Sequence, residues 1–321
     1  MSQRTRRWTL YALRSTLYVL RSTFCILLAA CSFGAAQGPP PTPTPLLAPY
    51  NAALATAEAG GDAVTRAAAY YERGSVQFDQ GDYGPAIADY DQAIALDPTN
   101  ARAFNNRALA QVALGRAEQA LMDYDAAIAL DPTYVRAIEN RLRLRERRGD
   151  QRGVAQDYAR LAEIEPAKRA SHRYGEGVAL MALQETAGAR AAFDSALAAN
   201  PQHVDALYER ALLAYGAGQF GVAINDLSAA LRLSPRATNA YYARALAHHA
   251  SGDSAGAIAD FTTVLELDPV NAEALLGRAT LYAEQGDQAR AIADLDALDQ
   301  LPHDAMLAAA AMALRQQIPV Q

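Results

Sequence analysis

The sequence predicts an all-α fold: an α-α superhelix, or solenoid, of seven helix–turn–helix repeats with a C-terminal capping helix. Three observations carry this. Prolines recur every 34 residues, at Pro98, Pro132, Pro166, Pro201, Pro235 and Pro269, with one 35-residue step before Pro201. Within these intervals, apolar residues recur at helical spacing on two segments, divided by a glycine in every repeat but the fourth. The 321 residues are Ala-rich and only 7% aromatic, which favours closely packed helices over a sheet. A period of this length with two helices per repeat is the signature of a stacked array.

Numbered from 1 to 34, the repeats span 67–100, 101–134, 135–168, 170–203, 204–237, 238–271 and 272–302. Repeat one shows the logic. Tyr70, Gly74 and Phe78 fall on one face of a first helix, and Gly81 supplies a left-handed C-cap. Ala86, Tyr90, Ala93 and Ile94 form the stripe of a second helix, which Asp97–Pro98 ends, since a residue before proline is driven out of the helical region. The small residue at position 8 (Gly74, Ala108, Gly177, Ala211, Ala245, Ala279) lets the two helices approach closely.

The pattern resembles the tetratricopeptide repeat (TPR) family: an aromatic or apolar residue at 4, then a small residue at 8, Ala at 20, an aromatic at 24, Ala at 27 and Pro at 32. It is met at Tyr70, Gly74, Ala86, Tyr90, Ala93 and Pro98, and again at Tyr241, Ala245, Ala257, Phe261 and Pro269. Repeat seven departs by placing Pro302 one residue early. Residues 303–321 then read as a capping helix and tail, and 50–66 as a short helical segment covering repeat one. Repeat four follows the extra residue and has Gln184 where the hairpin glycine belongs, so a local irregularity is expected between Lys168 and Gly188.

Position 7 is Arg and position 23 is Asp in the same six repeats: Arg73 with Asp89, Arg107 with Asp123, Arg141 with Asp157, Arg210 with Asp226, Arg244 with Asp260, and Arg278 with Asp294. Repeat four loses both together, carrying Glu176 and Ala192. Both positions flank the apolar stripe where the two helices meet, and an Arg fork matches carboxylate geometry. A structural ion pair per repeat is therefore expected in preference to a ligand-binding ladder.

Positions 2, 5, 6, 9, 12 and 13 of the first helix point away from the second. The family resemblance implies that this face lines a concave groove for peptides. Here it supplies Tyr71, Asn105, Asn106, Arg136, Asn140, Arg143, Arg147, Tyr174, Tyr208, Asn239 and Tyr242. Tyr and Asn offer rigid surface and adaptable hydrogen bonds. The arginine-dense "VRAIENRLRLRERRGDQR" of repeat three is expected to suit an acidic peptide or a terminal carboxylate. Some family members clamp a terminal carboxylate with Lys, Asn and Arg. Asn106 and Arg136 match two of those places, but Tyr71, Ser75 and Asn140 occupy the others, so the clamp is not expected.

The five histidines, His172, His203, His248, His249 and His303, show no metal-ligand spacing, and no nucleophile motif or phosphate loop occurs, so neither catalysis nor a cofactor is expected. The net charge is −6, and the five arginines of the first thirty residues have no acid beside them, so the remainder is more acidic still. Such a body is a poor nucleic-acid binder.

Residues 1–30 read as a signal peptide: arginines, then a short apolar run from Phe24 to Ala30. "LAAC", ending at Cys31, resembles a bacterial lipobox, and that resemblance implies that Cys31 carries a lipid; a cut after "SFGAA" is the alternative. Residues 31–49, with the run "GPPPTPTPLLAP", read as an extended linker. The expected setting is extracytoplasmic, on a bacterial membrane held only through the lipid; if the N-terminal segment is not part of the translated protein, it is cytoplasmic. The expected role is a protein-binding scaffold of the envelope, or alternatively a regulatory or assembly subunit of an envelope enzyme, secretion or pilus system.

Overall fold

A computed structural model describes residues 46–302 and 305–318. The signal segment, Cys31, most of the proline-rich linker and His303 lie outside the described residues. The rest is helical, with no strand among the described residues, and falls into two compact bodies that divide between Glu185 and Thr186.

The N-terminal body holds α1 (Ala48–Gly60), α2 (Ala63–Asp79), α3 (Tyr83–Leu96), α4 (Ala101–Ala113), α5 (Ala117–Leu130), α6 (Val135–Arg148), α7 (Gln151–Ile164) and α8 (Arg169–Ala182). Two boundaries differ from the sequence reading. Helix α1 begins at Ala48, inside the expected linker, because Pro49 sits in the first turn, where its missing N–H is not needed. Helix α2 begins at Ala63, four residues ahead of repeat position 1, because Asp62 caps it by accepting from Thr65 N at 2.7 Å.

Hairpins other than that of repeat three, which has Leu142 at position 8, carry a small residue where the two helices meet. A Cβ on Gly74 would lie 3.1 Å from the Tyr90 ring, a contact tighter than ordinary van der Waals packing, so the two helices approach closely here. Ala86, Tyr90 and Ala93 on α3 are fully buried, as are Ala120, Tyr124 and Ala127 on α5. Hairpin glycines turn with positive φ, for example +83° at Gly81.

Between α7 and α8 a 3-10 turn runs over Pro166–Lys168, and the turn after α8 places Gln184 at φ +61°, a non-glycine residue in the left-handed region. These two features are the irregularity expected in repeat four. The repeat is also divided: its first helix belongs to the N-terminal body and its second to the C-terminal one.

The C-terminal body holds α9 (Thr186–Ala199), α10 (Val204–Gly216), α11 (Phe220–Leu233), α12 (Thr238–Ser251), α13 (Ser254–Leu267), α14 (Ala272–Glu284), α15 (Gln288–Asp299) and α16 (Ala305–Gln317). Helix α16 inserts Leu307 and Ala311 into a cluster with Leu275, Leu276, Leu295 and Leu298, covering the last repeat. In both bodies first helices of successive repeats meet, α2 with α4 and α10 with α12.

Candidate binding face and the charge ladder

The six Arg–Asp pairs form. Five are two-pronged, with Nε and Nη2 each donating to one carboxylate oxygen at 2.6–2.9 Å. In the sixth, Arg141 donates mainly to Oδ1 of Asp157, whose Oδ2 receives Arg145 Nη1 at 2.9 Å. Asp157 is fully enclosed, and burial pushes its carboxyl up against the pull of both arginines. All six carboxylates are buried at the seam between a repeat's helices. Three of the guanidiniums stack on a position-4 aromatic, at 5.8 Å for Arg73 on Tyr70, 5.4 Å for Arg107 on Phe104 and 5.5 Å for Arg244 on Tyr241.

The sequence reading missed the third prong. The Nη1 of each position-7 arginine reaches position 25 of the preceding repeat: Arg107 to Asp91 at 2.6 Å, Arg141 to Asp125 at 2.6 Å, Arg210 to Asp194 at 2.8 Å, Arg244 to Ser228 at 2.9 Å and Arg278 to Thr262 at 3.1 Å. The end helices continue the rule. Asn51 of α1 receives Arg73 at 3.3 Å, and position 25 of repeat seven, Asp296, receives Arg315 of α16 at 2.6 Å. Repeat three has Ala159 at this position, and Glu176 bonds to Arg173 at 2.7 Å instead. One side chain thus ties two helices of its own repeat and the next repeat back.

The outward positions of the first helices divide into two kinds. Asn140 donates to Asn105 at 3.0 Å, Asn105 to Asn106 at 3.0 Å, and Asn106 to the Tyr71 hydroxyl at 3.2 Å. Asn105 is only 3% exposed, which removes it from the set of contact residues. The reason is register. Position 6 packs on position 24 of the preceding repeat, as added Cβ atoms on Gly175 and Gly277 show by meeting Tyr158 at 2.8 Å and Phe261 at 2.6 Å. Asn106 and Asn140 at position 6 accordingly knit three repeats together and are partly spent on structure.

Tyr71 remains half-buried and lines an open groove of about 560 Å³ with Glu72, Asp97, Arg102, Asp131 and Tyr134. Arg102, at position 2, and Tyr134, at position 34, were not singled out from the sequence, although position 2 belonged to the outward set. Arg136 is exposed, Arg143 lies 3.8 Å from Glu139, and Arg147 donates to the Arg143 carbonyl at 3.3 Å. The remaining arginines of the dense run are committed elsewhere, with Arg145 on Asp157, Arg148 on Glu118 and Arg152 on Glu185. Tyr174 on α8 is half-buried.

In the C-terminal body Tyr208 and Tyr242 are half-buried and Asn239 is exposed. Burial pushes the Tyr208 hydroxyl up to about 12, with the Asn239 amide pulling it the other way. Tyr242 stands edge-on to Phe261, ring centroids 5.6 Å apart. Glu209, at position 6, has its carboxyl pushed up to about 7, first by burial and then by the charge of Asp205. Among the described residues no group of three His, Cys, Asp or Glu could hold a metal, and no helix is long and apolar enough to cross a membrane.

The models of the TPR and tetratricopeptide repeat match residues 74–115, 101–134, 174–219, 208–269 and 242–305. The chain belongs to the tetratricopeptide repeat family. Among solved tetratricopeptide structures, the C-terminal part of a repeat protein from Cytophaga hutchinsonii is 16% identical with a TM-score of 0.56, over 75% of this chain and 98% of that one. A repeat protein from Parabacteroides merdae is 22% identical with a TM-score of 0.41, over 78% and 98%. YrrB, described as having an unusual peptide-binding site, is 22% identical with a TM-score of 0.41, over 71% and 97%. At these identities the likeness is one of tetratricopeptide fold. No curated protein matches the chain.

Proposed function

We propose that the chain is a non-enzymatic scaffold that binds protein partners along the outward face of its first helices. The observation that carries this reading is the division of labour within the repeats that hold the seam pair. In six repeats the charges at positions 7 and 23 are consumed in ion pairs, while positions 2, 5 and 9 stand outside those pairs and carry Tyr, Asn, Leu and further charged side chains. On the N-terminal body, Arg136, Arg143 and Arg147 supply cationic groups for an acidic segment.

The setting we propose is extracytoplasmic, with the array tethered to a bacterial membrane by lipid on Cys31 and spaced from it by the proline-rich segment. Mass spectrometry of the mature N-terminus tests the anchor: an unmodified N-terminus beyond Cys31 overturns it. Pull-down from the membrane fraction by the full chain, with and without Tyr208→Ala plus Tyr242→Ala, tests the face. Partners retained equally by a folded double variant would place binding elsewhere. A captured enzyme whose activity changes on binding would make the chain its regulatory subunit.

A further inference from the structure

The outward positions of repeats five, six and seven carry four acids, Asp205, Glu209, Glu273 and Glu284, and no Lys or Arg. This does not follow from a shortage of cations. Residues 186–321 contain Arg190, Arg210, Arg232, Arg236, Arg244, Arg278, Arg290 and Arg315, and every one falls at another position. Repetition sorts the face into rows. Position 2 gives an edge of Asp205, Asn239 and Glu273, all exposed. Positions 5 and 9 give a floor of Tyr208, Tyr242, Leu212 and Leu246, all partly exposed. Beyond the floor, His249 meets Glu284 at 3.2 Å. The same positions of the N-terminal body are mixed in sign, with Arg102, Arg136, Arg143 and Arg147 among Glu72, Asp79, Glu139 and Glu146.

An acidic edge beside an aromatic and aliphatic floor is complementary to one kind of occupant. Lysine and arginine present alkyl stems that pack on Tyr and Leu and charged tips that reach a carboxylate, and the cation also favours a ring face. We propose that the outward face of α10, α12 and α14 docks an extended segment rich in lysine or arginine from a protein partner. Asp205 and Glu273 face its cations at the rim, Glu209 supplies a half-buried carboxylate, and Tyr208 and Tyr242 hold the stems. The inference rests on the scaffold reading above and adds the partner's chemistry to it.

The probe is a fluorescein-labelled twelve-residue peptide of alternating Lys and Ala, with Glu–Ala and Ser–Ala peptides of equal length beside it. Binding to the full chain is read by fluorescence anisotropy at two salt concentrations. The Lys peptide should bind tightest. The variant Asp205→Asn, Glu209→Gln, Glu273→Gln should weaken it about tenfold, the size expected for three partly screened ion pairs. A control with the same charge change on second helices, Glu118→Gln, Glu163→Gln, Glu266→Gln, should change it less than twofold, and circular dichroism checks that both variants fold. Equal weakening by both variants, or a preference for the Glu or Ser peptide, overturns the proposal. The scaffold reading fails separately, when the Tyr208/Tyr242 variant retains every membrane partner.

Discussion

Truncating Asp123 asks what the repeated ion pair contributes. Its side chain is 8% exposed and receives Arg107 at 2.6 and 2.7 Å. In Asp123→Ala both bonds go, and a guanidinium on a side chain only 19% exposed loses its main partner. An orphaned charge in a fully buried pair costs about 3–5 kcal/mol. Arg107 is not fully buried and keeps Asp91 at 2.6 Å, so the loss should be about 2–3 kcal/mol.

Adding Arg107→Leu removes the orphan and lays an apolar side chain on the seam. The double variant should regain about 1 kcal/mol over Asp123→Ala. The four corners of this cycle are measured by urea unfolding followed by far-UV circular dichroism. Midpoints are compared only where the slopes agree, since stacked repeats need not unfold in one step. A double variant no more stable than Asp123→Ala would refute the reasoning, because the cost would then come from something other than the unpaired arginine.

Asp157→Ala should be the most damaging of the six carboxylate truncations, about 3–5 kcal/mol by the same unfolding assay, because it leaves both Arg141 and Arg145 facing an enclosed gap. Gln184→Gly should raise stability by about 0.5–1 kcal/mol, read as an upward shift of the thermal midpoint, since glycine occupies φ +61° without strain. Arg315→Ala removes the bonds to Asp296 and Asp299 and should speed amide exchange in α16 while leaving α2–α7 unchanged. Glu209→Gln should stabilise the protein above pH 7. The folded carboxyl, raised to about 7 from 4.5, holds its proton more tightly than the unfolded one, so stability falls as pH rises from 4.5 through 7. The variant lacks that fall and should gain about 2 kcal/mol at pH 8 over wild type, after allowance for partial exposure.

Much of the architecture was legible because the period imposes it. Thirty-four-residue spacing located the helices, and the joint presence of Arg at 7 and Asp at 23 identified the seam pair before any coordinate. The inter-repeat prong was harder to see. Position 25 is Asp, Asp, Ala, Asp, Ser, Thr and Asp along the array, so no single residue type marks it, and its partner lies in the next repeat. Arg315 sits in a helix outside the repeat register and carries no positional label. Asn105 was misjudged because the helical wheel of one hairpin ignores its neighbours. Asparagine at position 5 is covered when position 6 of the next repeat is also asparagine, as Asn140 covers it here.

The ladder also explains why the faces are free to differ. Because position 7 couples a repeat both to itself and to its predecessor, none of the ladder's side chains occupies position 2, 5 or 9. Apart from Asn105 and Leu276, which are buried at position 5, those positions can then diverge without breaking the ladder, and they have: mixed charge around Tyr71, Arg102 and Arg136, carboxylates alone around Tyr208 and Tyr242. Repeat four marks the change: it lacks the seam pair and the rung back to repeat three, whose position 25 is Ala159, and the inter-repeat prong resumes only with Arg210 on Asp194. A partner that used only the C-terminal face needs one cationic stretch. A partner that used both needs a segment of mixed sign for the other. The charge pattern of a captured partner therefore tells which face holds it, before any complex is solved.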